Sequence, residues 1–368
     1  MTEPRPAKAL QAGRRPRLAA RRRFDKHAPA PDAGARTKEA GGPARKDMSG
    51  ASERMAVVVI GRNEGERLRA SLRSVRRSCE RVVYVDSGST DGSAVLAAGE
   101  GVVVHALDPA RPFSAARGRN EGFQVARERW PGTAYVQFVD GDCLLDEAWL
   151  DRAAAFLDAE PKVAMLCGDN EEEFPDASVY NRLCAVEWSG APGEVAACGG
   201  NAVVRGKAFE AAGGYDDAIR AGEEPELCLR LRRAGWRVHR LPDPMTVHDA
   251  DMHRFGEWWR RAERSGVAYW TGWRRHGAGP ERYNAKETLR AILWGGALPL
   301  AALVFLFVWP PAAALILAIY AAKLLRVALR HRDTAMHPLR YAGFMMLSNV
   351  AEFVGIARGV LDRRGGAS

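Results

Sequence analysis

The sequence predicts an α/β chain with a mainly parallel sheet flanked by helices, followed by a C-terminal transmembrane helical hairpin. Three observations predict it. Short, continuous apolar runs alternate with helix-period segments from residue 55 to about 145, as strands covered on both faces require. Each of the main runs stops at a polar or acidic break, where ligands of such sheets bind. Two long apolar segments then fill residues 291–329, divided by Pro310-Pro311.

Ala56-Val57-Val58-Val59-Ile60 is the first strand, broken by Gly61-Arg62-Asn63-Glu64. Leu68, Leu72 and Val75 then recur at helical spacing. Arg81-Val82-Val83-Tyr84-Val85 is the second strand and ends at Asp86; Thr90 or Asp91 is positioned to cap the helix that follows. Val102-Val103-Val104 is a third, and a helix through Ala115–Arg129 leads to Tyr135-Val136-Gln137-Phe138-Val139. That last strand runs into Asp140-Gly141-Asp142. The β-α-β order predicts right-handed crossovers, which bring Arg62, Glu64, Asp86, Asp140 and Asp142 to one sheet edge. Two carboxylates at a strand end call for a compensating cation, and hard oxygen donors suit Mg²⁺ or Mn²⁺. Gly141 leaves space for a ligand to approach the backbone between them.

Composition limits the alternatives. The net charge of +9 is carried by the ends, with 14 Lys/Arg against 6 Asp/Glu in residues 1–54 and 8 against 3 in residues 323–368. The slightly acidic centre argues against a nucleic-acid partner and for basic flanks beside an anionic membrane. The six cysteines show no paired or metal-site spacing and read as small core residues of a reducing compartment. No secretory signal is visible. There is no Gly-x-Gly-x-x-Gly after the first strand and no Gly-Lys-Ser/Thr loop, so dinucleotide oxidoreductases and P-loop enzymes are disfavoured.

Several spaced motifs resemble those of a glycosyltransferase of family 2 with the GT-A fold, over about Val57 to Arg261. They are Val58-Val59-Ile60-Gly61-Arg62-Asn63-Glu64, Val85-Asp86-Ser87-Gly88-Ser89-Thr90-Asp91, Ala116-Arg117-Gly118-Arg119-Asn120-Glu121-Gly122 and Phe138-Val139-Asp140-Gly141-Asp142. Gly199-Gly200-Asn201 and Gly222-Glu223-Glu224-Pro225 follow in order. The resemblance implies an inverting transfer of a sugar from a nucleotide-sugar donor. It assigns Arg62, Glu64 and Asp86 to the nucleoside, Arg119 and Asn120 to the donor, and Asp140 with Asp142 to the metal and ribose. Ser87 stands where many members carry a second Asp. The general base falls on Glu223 or Glu224, with Glu224 at the usual position; an acidic helix start also serves ordinary dipole stabilisation.

His248 follows a short apolar strand and reads either as a further metal ligand or as a histidine satisfied by backbone. Trp258, Trp259 and Arg260 lie where related synthases have an acceptor-side helix, and the two tryptophans read equally as sugar-stacking or membrane-interface residues.

The expected organisation is a disordered basic tail at 1–54, a catalytic domain at 55–275, a linker at 276–290, two transmembrane helices within 291–329, and an amphipathic or interfacial helix with a tail at 330–368. Arg282, Lys286 and Arg290 before the first span, with Arg330 and Arg332 after the second, place the catalytic domain on the cytoplasmic face of the inner membrane. The expected acceptor is a lipid-linked or cell-surface glycan. A non-catalytic nucleotide-sugar-binding or membrane-assembly protein and a nucleotidyltransferase are the alternatives.

Overall fold

The computed structural model describes residues 54–365, so nearly all of the expected disordered tail lies outside the described residues. Nine strands form one sheet: β1 (Met55–Gly61), β2 (Val82–Asp86), β3 (Val103–Ala106), β4 (Tyr135–Asp140), β5 (Cys143–Leu145), β6 (Val163–Glu172), β7 (Gly193–Glu194), β8 (Ala202–Arg205) and β9 (Arg237–His248). The order is β3-β2-β1-β4-β8-β6-β9-β5, with β7 beside β9. The catalytic-domain helices are α1 (Glu66–Arg76), α2 (Ser93–Gly99), α3 (Ala115–Arg129), α4 (Trp149–Ala159), α5 (Val179–Trp188), α6 (Gly206–Ala211), α7 (Glu223–Arg233) and α8 (Phe255–His276).

The first four strands are parallel, as their unbroken apolar faces require; Val57, Val58, Val59, Val83, Val85, Val136 and Phe138 are all fully buried. Beyond β4 the sheet is mixed rather than mainly parallel, because β8 runs antiparallel to both β4 and β6. The reversal has a use. A parallel strand brings its last residue to the ligand edge, whereas an antiparallel one brings its first. Gly199-Gly200-Asn201, which lead into β8, therefore arrive beside Asp140. β9 is parallel to β6 and antiparallel to β5, and the pairing of Cys143 with His248 carries the end of β9 to the same place.

All six cysteines are buried and free. The N-cap of α2 is Gly92 rather than Thr90 or Asp91, and the Asp91 carboxylate just ahead of it accepts from the backbone N and the hydroxyl of Ser93.

Four helices follow the sheet: α9 (Ala285–Ala291), α10 (Leu298–Val308), α11 (Pro310–Arg330) and α12 (Pro338–Gly365). A π-helical turn, Ile292–Ala297, joins α9 to α10, so helix begins at Ala285 within the segment expected to be a linker. Among the described residues three stretches are long and apolar enough to cross a membrane: Ala285–Val308, Pro310–Arg330 and Pro338–Leu361. The sequence expectation counted two and made the third an interfacial or docking helix. In the structure α12 does dock, and it also has the length and apolarity of a span.

The docking rests on glycine. A Cβ on Gly266 of α8 would sit 2.0 Å from the Glu352 carbonyl oxygen of α12, and one on Gly355 would sit 2.0 Å from that of Glu263. The π turn makes the same kind of contact, with Gly295 against the Asn349 carbonyl. The backbones touch where these side chains are missing. Gly266→Leu is expected to push α12 off α8 and to destabilise the protein by about 1–3 kcal/mol, the usual cost of overpacking. Earlier melting and faster proteolysis between α11 and α12 would register it; an unchanged profile would deny the contact its role.

Candidate active site

The loops after β1 and β2 form one wall of the site. The β1–β2 register pairs Gly61 with Asp86, and the β1–β4 register pairs Ile60 with Asp140, which sets these strand ends level. Asn63 fixes the first loop to the second: its side-chain oxygen accepts from the Thr90 amide at 2.8 Å, and its amide donates to the Ser89 hydroxyl at 3.0 Å. Asn63 has φ 57°, a left-handed conformation that asparagine tolerates better than most residues.

Two lobes open along this edge and share Asp140 and His248. The first, about 440 Å³, is lined by Arg62, Glu64, Ser87, Phe113, Asp140 and Asp142 among others. The second, about 670 Å³, is lined by Glu223, Glu224, Trp188 and one face of α8.

Within the first lobe, the Arg62 guanidinium lies over the Phe113 ring, 5.6 Å from its centroid. Glu64 pairs with Arg67 at 2.9 Å. Burial pushes the Glu64 carboxyl above its ordinary value against the opposing pull of Arg67, with Asp142 and Asp140 adding repulsion. The space above Gly141 is taken by the Glu64 stem, since a Cβ there would lie 3.3 Å from Glu64 Cγ and 3.1 Å from the Ile60 carbonyl. The glycine therefore admits a neighbouring side chain of this chain.

Asp86 stands at the expected edge, but its oxygens accept from the Tyr84 hydroxyl, the Gly88 amide and the Ser89 amide. Its carboxylate shapes the loop, and Ser87 is the loop residue that lines the lobe.

Asp142 and His248 meet as expected, with Asp142 Oδ2 and His248 Nε2 3.0 Å apart. Trp188 stacks on the imidazole at 4.5 Å with the planes 12° apart, fixing the ring. Burial disfavours both charges, yet each holds the other: the Asp142 carboxyl lies below its ordinary value and the His248 imidazole above. Asp142, Cys143 and His248 bring potential ligand atoms within 4.8 Å of one another. The Cys143 thiol is pushed well up by burial and then by the Asp142 charge, and it donates to Asp142 while accepting from the Asn201 side chain. A carboxylate and an imidazole beside a protonated thiol fit a hard or borderline divalent ion better than a thiolate metal.

Arg119 joins the two lobes. It is 2% exposed and reaches Asp140 at 2.9 Å, Glu224 at 3.0 Å and Glu223 at 3.1 Å. Gly200 makes room for it, since a Cβ there would fall 2.3 Å from Arg119 Nη2. Burial acts to lower the guanidinium pKa, but Asp140 and Glu224 outweigh it and raise it. Three carboxylates occupy this arginine, so that where the resemblance places a donor contact Arg119 orders acidic side chains.

Asn120, the other residue assigned to the donor, faces different partners. It lies 100° round α3 and donates to the Tyr215 carbonyl and to Asp217, both at 2.8 Å, away from either lobe.

Glu223 and Glu224 open α7 behind Gly222, whose φ of 83° sharpens the entry. The Glu224 side chain is 18% exposed against 8% for Glu223. Burial raises the Glu224 carboxyl to about 7, Arg119 opposing and Glu223 assisting. A carboxyl poised there can take a proton near neutrality.

Of the acceptor-side residues, Trp258 is 5% exposed and packs edge-on against Phe344 at 5.1 Å, with Leu183 and Met336 beside it. Trp259 joins the same cluster and Arg260 is exposed outside the lobe. Trp258 therefore packs against α12, with Trp259 partly buried at the edge of the same cluster. Arg261, Arg264 and Ala268, spaced by three and four, line the lobe instead, and sequence reasoning missed them. The signal was present as two arginines on one helical face.

The model of Glycosyl transferase family 2 matches residues 56–188, and that of Glycosyl transferase family group 2 matches residues 135–327. Succinoglycan biosynthesis protein ExoA of Rhizobium meliloti (strain 1021) is 30% identical over 199 residues, covering 50% of this chain and 59% of its own. Pre-mycofactocin glycosyltransferase of Mycobacterium tuberculosis (strain ATCC 25618 / H37Rv) is 28% identical over 224 residues, covering 55% and 44%. The match thus spans about half the length of these curated relatives. The mannosyltransferase PcManGT from Pyrobaculum calidifontis, in complex with GDP-Man and Mn²⁺, superposes with a TM-score of 0.56 at 21% identity, covering 83% of this chain and 87% of that one. The likeness is one of fold.

Proposed function

Because this chain belongs to glycosyltransferase family 2 and has the GT-A fold, we propose that it moves a sugar from a nucleotide-sugar donor to a membrane-bound acceptor glycan. The observation that carries this reading is the single cleft in which Asp142 with His248, Asp140, and Glu224 line adjoining lobes.

The donor nucleoside occupies the first lobe, between Arg62 with Phe113 and the Ser87 loop. Asp142 and His248 would hold Mg²⁺ or Mn²⁺, and such an ion would supply positive charge to offset that of the departing nucleoside diphosphate. Asp140, at the junction of the lobes, meets the donor sugar. The acceptor hydroxyl lies in the second lobe and gives its proton to Glu224 as its oxygen attacks the anomeric carbon. The bond to the phosphate oxygen breaks on the far side, which inverts the configuration. Arg119 keeps Glu224 turned toward the cleft.

The catalytic domain sits at the cytoplasmic face of the inner membrane, held by the apolar helices. Arg282, Lys286 and Arg290 on one side and Arg330 and Arg332 on the other favour this orientation. The protein is expected to stay in the membrane pellet after a carbonate wash; release by salt alone would mean surface attachment.

Hydrolysis of labelled nucleotide-sugars with added Mn²⁺ tests the reading. No turnover and no binding across a panel of uridine-, guanosine- and thymidine-diphosphate sugars would reject it. A base near 7 also sets the pH profile. Glu224 must be charged to accept a proton, so kcat/KM should fall about tenfold per pH unit below roughly 7 and level off above it. A rate that stays flat down to pH 5 would move the base elsewhere.

A further inference from the structure

Two cysteines, Cys167 and Cys198, line the second lobe and lie together. Cys167 is on β6, where it pairs with Arg240 of β9. Cys198 comes from the loop between β7 and β8. The Val195 amide donates to the Val238 carbonyl at 3.0 Å, which holds that loop against β9 just before Cys198. Both thiols reach the His239 carbonyl, Cys167 at 3.8 Å and Cys198 at 3.9 Å, and they hydrogen-bond to each other. Each residue is 5% exposed, and the lobe is the opening they line. Cys228 is fully buried, with its thiol 3.4 Å from the Met165 sulfur.

The two thiols are unequal. The hydrogen bond from Cys198 holds the Cys167 thiol below its ordinary value against burial, with the Arg240 guanidinium assisting. Burial, and then the Cys167 thiol, push Cys198 well up. This is the inequality of an attacking thiol and a resolving one.

Their position ties the pair to the cleft. Cys198 leads directly into Gly199-Gly200-Asn201. Gly200 leaves the space that Arg119 fills, and a Cβ there would also lie 3.1 Å from an oxygen of Glu224 and one of Asp140. The Asn201 side-chain oxygen accepts from the Asp140 amide at 2.8 Å. Cys167 stands on a strand without slack, since a Cβ on the next residue, Gly168, would fall 2.6 Å from the Asp243 carbonyl oxygen. Drawing the two sulfurs in to the bonded length of about 2 Å would therefore move the loop and not the strand.

We propose that Cys167 and Cys198 form a thiol-oxidation site, at which a peroxide joins them in a reversible disulfide that shifts the Gly199-Gly200 segment and suppresses transfer. The Cys167 thiolate attacks one peroxide oxygen, the O–O bond breaks, and hydroxide leaves with the proton the thiol gave up, as water. The Cys198 sulfur then attacks the sulfenic sulfur of Cys167; its proton and the sulfenic hydroxyl leave as a second water. Two thiols lose two electrons and the peroxide gains them. In a reducing compartment such a bond is transient, reversed by a dithiol.

The cross-link is read independently of sugar transfer. The full chain in detergent micelles is treated with hydrogen peroxide, the remaining thiols are blocked under denaturing conditions, and the peptides are analysed by mass spectrometry. A Cys167–Cys198 cross-link that dithiothreitol removes is expected, with Cys79, Cys143 and Cys184 still free to be blocked. In Cys198→Ala the sulfenic acid should persist and be trapped at Cys167 by dimedone; in Cys167→Ala neither product should form, at a melting temperature that shows the variant folded. No cross-link in the folded wild type, or one joining either residue to Cys228, would overturn the proposal. Nucleotide-sugar turnover on the same samples should fall about tenfold or more on cross-linking and return with dithiothreitol, because a shift of about 1 Å in a positioned group costs up to about 10²-fold. Undiminished turnover in cross-linked protein would overturn it too. No turnover even in the reduced protein, with the cross-link formed, would reject the transfer reading alone.

Discussion

Asp142→Ala is expected to remove metal-dependent nucleotide binding and to lower turnover by about 10³-fold or more, since a Lewis-acid ion contributes several kcal/mol to such a transfer. Asp142 is paired with His248 at 3.0 Å, accepts from the Cys143 thiol, and lines the first lobe. Its loss strips the only carboxylate from the group of ligand atoms identified around Cys143 and His248 among the described residues. Calorimetry of a nucleoside diphosphate with and without Mn²⁺ measures the first effect, and labelled-sugar transfer the second. Because the variant leaves His248 half-buried without its counter-ion, its melting temperature should be taken alongside. A folded variant with ordinary turnover would remove the ion from this position.

Glu224→Gln should separate binding from chemistry. The amide oxygen can still accept from Arg119, so the cleft keeps its shape, yet the group can no longer take a proton. Donor affinity should stay within a few-fold while transfer falls by about 10²- to 10⁴-fold, the range for a positioned base. The ascending limb of the pH profile should vanish with it. If Glu223→Gln alone produced this pattern, the base would be its neighbour, which also touches Arg119. The comparative exposure of the two side chains favours Glu224.

The parts of this site that the sequence disclosed are those fixed by strand ends. An apolar run that stops at an acid places that acid at the sheet edge whatever surrounds it, so Asp140, Asp142 and the Arg62–Glu64 loop were legible. His248 was legible for the same reason, as the last residue of β9. The family alignment of motifs gave the helix-borne residues only by position, and position was not enough. Arg119 and Asn120 are adjacent in sequence but face different partners, because successive helical residues diverge by 100°. Three carboxylates drawn from β4 and α7 converge on Arg119, and no local pattern announces such a convergence. Asp86 was legible in place, and the hydrogen bonds its own loop donates to its oxygens were not. The antiparallel β8 was not legible either: three apolar residues, Ala202, Val203 and Val204, have no direction until they are paired. The tryptophans of α8 were open between sugar stacking and the membrane interface, and the contact of Trp258 with Phe344 joins segments too far apart in sequence to be read locally.

The two-faced helix α8 has a practical consequence. The wall of the second lobe is braced from behind by a segment that begins at Pro338, more than sixty residues further along the chain. Trimming the protein after Arg282 to obtain a water-soluble fragment would spare every strand and every residue of the first lobe. It would also strip the backing from Trp258 and Gly266, leaving an oily stripe open to solvent. Such a fragment should bind nucleotide yet clump and handle acceptors poorly, so enzymology on this protein belongs in micelles or lipid discs.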